Sequence, residues 1–278
     1  MLLNLLWYII NCSYLPIHKL EVCDVGPMIG ELRKIKSEAE IELLREAIET
    51  TNLGLKHALL ELKEGKYEYN LRNAFEFAVA EDQDVKLGFA SIVASGENAT
   101  ILHYPSQKDK IKKGDLVLFD VGAAKNYYSA DISRTYPENG RFNELQRKIY
   151  EIVLNCNKQT AKFMRPGITL IEANEFAKEF LAAECVEKGL LSSREEISRV
   201  YYHSVSHFLG LDTHDSGNRY DKLVPGNVVT CEPGLYFKEL GIGVRIEDDV
   251  LITENGSEVL SDGILKEVNE IEKMLRTR

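Results

Sequence analysis

No basic run occurs anywhere in the chain, which carries 34 lysines and arginines against 44 aspartates and glutamates, for a net charge of −10 at pH 7. With an isoelectric point near 5.3, it offers no footprint for nucleic acid or an anionic membrane as the main partner. Cysteine is scarce as well. The five residues, Cys12, Cys23, Cys156, Cys185 and Cys231, form no CxxC or other metal-ligand spacing, so a thiolate metal site is not indicated and a reduced cytoplasm is the expected compartment. Long apolar runs are also missing. The opening MLLNLLWYII is ten residues long, lacks a basic start and runs into Asn-Cys-Ser rather than a small-residue cleavage site, so it reads as neither membrane anchor nor signal peptide.

Apolar material is nevertheless ample, at 44% of 278 residues. That suffices for a substantial core in one large domain, or one domain plus a fragment.

The stretch around which the rest is organised is Leu116 to Tyr136, LVLFDVGAAKNYYSADISRTY. Its two β-prone runs, joined near Lys125 and Asn126, predict a hairpin. A turn centred between those two residues sets Asp120 opposite Asp131. Facing carboxylates about 5 Å apart repel unless a cation lies between them. Two aspartates in a hairpin are often only solvated edge residues. Asp120, however, follows four apolar residues, as in a strand buried on both faces, where an unpartnered carboxylate is strongly unfavourable. The last third repeats the device. Val228 to Phe237 and Ile242 to Ile252 predict two strands joined through Lys238 to Gly241, carrying Glu232 and Glu247, with Pro233 interrupting the ladder.

Between these hairpins, helical spacing and caps predict helices from Ser37, over Tyr67 to Ala80, Asn143 to Phe163 and Thr169 to Lys188, with a short charged helix closing the chain after residue 264. Residues 1 to 27 read as a strand-bearing lead-in ending at Gly26-Pro27. Phe89 to Ala94 predicts a strand, and His103 falls at a strand end, where a lone histidine is more often structural. His203, His207 and His214 cluster in YYHSVSHFLGLDTHD, half of the six histidines in the chain. Hydrogen-bonded core histidines and metal ligation both account for such a cluster. The two helix-then-hairpin halves suggest an internal duplication with a site where they meet.

Asp120, Asp131, His207, Glu232 and Glu247 together make an oxygen-rich, nitrogen-poor set, suited to two divalent ions of the Mn²⁺, Co²⁺, Fe²⁺ or Zn²⁺ kind rather than a structural zinc. Such a pair activates water and polarises a carbonyl, so hydrolysis is the expected reaction class.

At these residues the chain resembles a known family. The segments ILHYPSQ, LVLFDVGAAKNYYSADISRTYPENGRF, SHFLGLDTHD, TCEPGLYF and GVRIEDD are similar to the signature blocks of the pita-bread metallopeptidases, in the branch of Xaa-Pro aminopeptidase and prolidase. The resemblance implies an α+β fold of two pseudo-symmetric halves, with a curved antiparallel sheet covered by helices. It implies that Asp120 binds one metal, that Asp131 and Glu247 bridge both, and that His207 and Glu232 complete the second site, with manganese the first expectation. It further implies that His103, His203 and His214 hold substrate, that Glu232 shuttles a proton to the leaving amine, and that Tyr236 and Arg245 lie close to the metals. The implied activity is removal of the first residue from peptides with proline second, with prolidase, methionine aminopeptidase and a non-catalytic binding module as alternatives. Relatives carry a large N-terminal domain that helps build the oligomer, so residues 1–29 are expected to be its remnant or a linker, residues 30–278 the catalytic domain, and a homodimer one of the assemblies to be tested. Ser133 stands where threonine is common and Cys231 where an aliphatic residue is usual, both expected to be tolerated.

Overall fold

Three of the described helices begin where a capping side chain meets apolar spacing, at Ser37, Asn143 and Thr169. In the computed structural model, which describes residues 23–277, α1 (Gly26–Lys34) opens on Pro27, whose fixed φ suits a first turn. Gly26-Pro27 thus starts a helix rather than ending a lead-in, and most of that lead-in, with the apolar opening, lies outside the described residues. The next helix, α2 (Glu38–Glu61), is one continuous element. It is started by a capping box in which Ser37 and Glu40 satisfy each other's backbone amides. α3 (Glu68–Val79) packs across it, with Phe75 filling the space left by Gly54. Among the described residues no helix is long and apolar enough to cross a membrane.

The strands follow as β1 (Val85–Leu87), β2 (Ile92–Ser95), β3 (Leu116–Val121), β4 (Ala123–Lys125), β5 (Tyr128–Ser129) and β6 (Ile132–Pro137). β2 begins three residues later than expected, and His103 sits in a turn instead of a strand end. The central hairpin forms, but its turn is Asn126-Tyr127, one residue further on than the sequence suggested. Both residues adopt positive φ, 48° and 73°, the conformation a two-residue type I′ turn demands. This shift changes the pairing: Asp120 faces Ser133, and Val121 faces Ile132. The aspartates are therefore not directly opposed. Asp131 lies diagonally from Asp120, in a break between β5 and β6 where its cross-strand neighbour is Gly122. A side chain at Gly122 would collide with the Ala130 carbonyl, so only glycine fits opposite this acid.

Helices α4 (Glu144–Phe163) and α5 (Leu170–Glu187) start at Asn143 and Thr169, each with a capping box. The second hairpin comprises β7 (Val228–Cys231), β8 (Gly234–Phe237), β9 (Ile242–Arg245) and β10 (Asp248–Thr253). The two predicted strands are each broken in the middle. Pro233 has no amide to donate, so β8 pairs with β9 while β7 pairs with β10. Pairing of Gly234 with Arg245 and of Cys231 with Asp248 leaves Glu232 and Glu247 facing across the break. Strand β11 (Gly256–Val259) and helix α6 (Val268–Arg276) complete the chain.

Both long hairpins are thus interrupted at the point that carries an acid. They meet there: the Glu247 amide donates to the Ser133 carbonyl at 3.0 Å. Behind the junction the buried Arg134 guanidinium donates to the carbonyls of Ser133 and Glu247 and to Asp248 Oδ1, 2.7 Å away. Apolar residues of β3, β6, α2, α4, α5 and the second hairpin form one continuous core around this junction.

Candidate metal centre

A cavity of about 640 Å³ opens where the hairpins meet, and Asp120, Asp131, Glu232, Glu247, His103, His203, His207, His214 and Arg245 all line it. The residues the sequence assigns to metal binding, substrate or catalysis all reach this one space, and Tyr236 bonds to His203 and Arg245 on its wall. The tightest group is Asp131, His207 and Glu247, whose donor atoms lie within 4.8 Å of one another. His207 Nε2 is 3.3 Å from Asp131 Oδ2 and 3.6 Å from Glu232 Oε1. Its Nδ1 donates to the Phe208 carbonyl at 3.0 Å, which leaves Nε2 facing the acids.

Asp120 has a different partner. Arg245 Nη2 is 2.6 Å from Asp120 Oδ2, while Arg245 Nε donates to Ser133 Oγ at 2.6 Å and Ser133 Oγ donates to Glu247 Oε2 at 2.7 Å. A second branch runs from Arg245 Nη1 to Tyr236 Oη at 3.3 Å and on to His203 Nε2 at 2.9 Å. Since arginine can only donate, the Tyr236 hydroxyl accepts from it and donates to His203, whose remaining proton is then on Nδ1. That nitrogen lies 2.9 Å from the Ser204 carbonyl and 3.6 Å from Glu232 Oε2.

Crowding four carboxyl groups away from water has the expected electrostatic effect. Burial pushes Asp120 up to about 6 against the pull of Arg245, and Glu232 up to about 7 against His207 and Arg245. Glu247 is driven well above the carboxylate range by burial and by Asp131. Burial alone would lower His207, yet Asp131 and Glu232 overcome it and carry the imidazole up to about 9. His203 moves the other way, down to about 4, because burial outweighs its one carbonyl contact. The cluster therefore calls for positive charge, and protonated His207 and Arg245 are its internal sources. Carboxylate and imidazole donors without any thiolate fit divalent ions of the borderline-to-hard kind.

Two contributors had no site role in the sequence reading. Ser133 connects Arg245 to Glu247, and the sequence marked it only as standing where threonine is common, two residues after Asp131. Asp215 lines the cavity with its side chain 1% exposed, paired with Lys36. Those two residues lie 179 positions apart, and no local pattern links them.

Residues 42–254 match the model of metallopeptidase family M24, and the chain belongs to that family. It is 38% identical over 265 residues to the mitochondrial intermediate cleaving peptidase 55 of Arabidopsis thaliana, covering 92% of this chain and 54% of that protein. It is 36% identical to the Xaa-Pro aminopeptidase of Escherichia coli, covering 91% and 62%, and 37% identical to the Xaa-Pro dipeptidase of Pyrococcus furiosus, covering 85% and 66%. The chain thus spans between half and two thirds of these relatives' length. Among solved structures, a Bacillus anthracis chain provisionally assigned as an aminopeptidase P superposes with a TM-score of 0.95 at 44% identity, covering 99% of this chain and 65% of that one. Zinc-substituted E. coli aminopeptidase P with product superposes with a TM-score of 0.87 at 36% identity, covering 91% and 62%. The fold is the pita-bread fold.

Proposed function

We propose that the chain is a metal-dependent aminopeptidase that hydrolyses the bond between the first residue of a peptide and a proline in second place. The observation that carries this reading is the convergence of Asp131, His207 and Glu247 donor atoms in a cavity that Asp120 and Glu232 also line. In this reading those five residues hold two divalent ions, manganese first among manganese, cobalt, zinc and iron. Bound there, the ions supply a Lewis acid for the scissile carbonyl and bring the pKa of water toward neutrality.

The remaining work falls to the side chains around them. A peptide bond to proline has no N–H, so recognition rests on ring shape and on the carbonyl, with His103 and His214 as donors along the wall and His203, its N–H turned to the Ser204 carbonyl, shaping it beside them. His203, held down near 4, is neutral at pH 7 and keeps one N–H. The leaving nitrogen must be protonated. Glu232, on the cavity wall within 3.6 Å of both His203 and His207, takes that role in this reading. Residues 30–278 form the catalytic unit in this reading, with residues 1–29 a linker or the remnant of a preceding domain. A reducing compartment such as the cytoplasm suits the described cysteines, all four of which are free.

Hydrolysis of an Xaa-Pro-Xaa tripeptide and an Xaa-Pro dipeptide, each assayed with a panel of divalent metals and with chelator, tests the proposal. Metal-dependent release of the first residue from the tripeptide is expected. Turnover of the dipeptide alone would replace it with a prolidase, and no turnover with two metals bound would replace it with a binding module.

A further inference from the structure

The loop from residue 211 to residue 221 carries His214 and walls one side of the cavity, yet it is held largely by residues far away in sequence. Asp215, next to His214, donates its own amide to the Phe208 carbonyl and accepts the Ser216 amide on Oδ1 at 2.8 Å. Its carboxylate is otherwise occupied by α1 and the residues just after it. Arg33 Nη2 lies 2.5 Å from Asp215 Oδ1 and 2.6 Å from Asp212 Oδ2, and Lys36 Nζ lies 3.2 Å from Asp215 Oδ2. Lys34 adds a third grip, on Asp221 at 2.6 Å. Lys36 and Asp215 each expose only 1% of their side chains. The chain makes room for this pair with Gly210, where any side chain would collide with the Asp215 carboxylate and the Lys36 stem. Backbone bonds complete the attachment: the Lys36 amide donates to the Gly226 carbonyl at 2.8 Å, and Asn227 Nδ2 donates to the Lys34 carbonyl at 3.0 Å.

A buried aspartate with two cations from one short segment is a costly arrangement to keep for stability alone, because an apolar contact of similar volume would serve as well. What it fixes is position. The same loop brings the His214 ring to 4.2 Å from the His207 ring. We propose that α1 and the residues just after it are a positioning strut for the active site, in which Arg33 and Lys36 hold Asp215, and through it His214, at the working distance from His207. The proposal rests on the reading of this cavity as the peptide site. Arg33 and Lys36 touch no reacting atom and act only through Asp215. Displacement of a substrate-facing group by about 1 Å can cost on the order of 100-fold in rate.

The test uses the full chain loaded with manganese. The Arg33→Gln and Lys36→Met variants and the conservative Lys36→Arg variant are compared for metal content, for kcat and KM on an Xaa-Pro-Xaa peptide, and for amide hydrogen exchange. Lys36→Met is expected to bind metal as wild type does, to lose at least tenfold in kcat with KM changed less than twofold, and to exchange faster over residues 211–221 but not over β3 and β6. Lys36→Arg should recover most of the rate. Arg33 is partly exposed, so Arg33→Gln folds even if Lys36→Met does not, and it should show the same pattern in weaker form. Unchanged exchange over residues 211–221 in Arg33→Gln overturns the strut, as does faster exchange there with kcat intact. A wild-type chain that binds metal but cleaves no Xaa-Pro peptide would instead overturn the peptidase reading, leaving the exchange comparison to decide the strut by itself.

Discussion

Arg245 Nη2 lies 2.6 Å from Asp120 Oδ2, so the acid that opens the first hairpin is neutralised by a cation from the second. Removing that cation leaves a buried carboxylate without a partner, a loss that typically costs about 3–5 kcal/mol. Arg245→Met is therefore expected to lower the unfolding free energy of the chelator-treated protein by that order. Added manganese should return part of it, because the ion takes over the charge. Urea denaturation with and without metal checks this, and equal stability of the two chains in chelator would show that the pair contributes nothing.

Asp131 belongs to the tight donor group with His207 and Glu247. Asp131→Ala should reduce bound metal and lower activity by more than the roughly 10–100-fold typical of residues behind the ligands. Elemental analysis and peptide turnover on the same preparation decide the matter, and near wild-type turnover would refute the ligand assignment.

Ser133 is such a residue behind the ligands. Its hydroxyl accepts from Arg245 and donates to Glu247 at 2.7 Å. Ser133→Ala is expected to weaken metal affinity or activity by about 10–100-fold. Ser133→Thr keeps the hydroxyl and should stay within a fewfold of wild type. Metal titration of the two variants side by side separates the hydroxyl from mere bulk.

The imidazole of His207, raised to about 9 from an ordinary 6.5, gives the metal-free protein a pH dependence of definite sign. A group whose pKa is raised on folding contributes stability that is complete below its unfolded pKa and is lost as pH climbs through the folded one. The loss falls between about pH 6.5 and 9 and amounts to about 3 kcal/mol at most. The stability difference between wild type and His207→Gln, measured in chelator, should shrink over that window. With metal bound the imidazole is neutral and the trend should vanish. A difference that stays flat from pH 6 to 9 in chelator would rule out the imidazolium.

Burial also governs thiol chemistry. Cys156 and Cys185 are pushed up to about 12, and Cys231 well above its ordinary value, all chiefly by burial, whereas Cys23 is exposed. Alkylation of the native protein at pH 8, mapped by peptide mass spectrometry, should label Cys23 and spare Cys156, Cys185 and Cys231. Labelling of Cys231 at the rate of Cys23 would show that the strand before Glu232 opens readily.

Several features of this protein are decided locally, and those were legible. The Ser37, Asn143 and Thr169 caps start their helices as their side chains dictate, because a cap needs only residues three positions apart. Pro233 breaks its ladder for an equally local reason, the missing amide. The acids at 120, 131, 232 and 247 stood out because a carboxylate beside buried strand residues demands a partner wherever the chain goes. The hairpin register was less secure, since it depended on Tyr127, a residue with no marked preference for positive φ, accepting 73°.

Only the tertiary structure decided who the partners are. Asp120 takes Arg245, Ser133 bridges to Glu247, and Asp215 is held by Arg33 and Lys36 from the other end of the chain. Charge pairing depends on distance and burial in space, which sequence separation does not encode. The amino-acid order named the groups that could not be left alone in the interior, and folding chose the neighbours that make them tolerable.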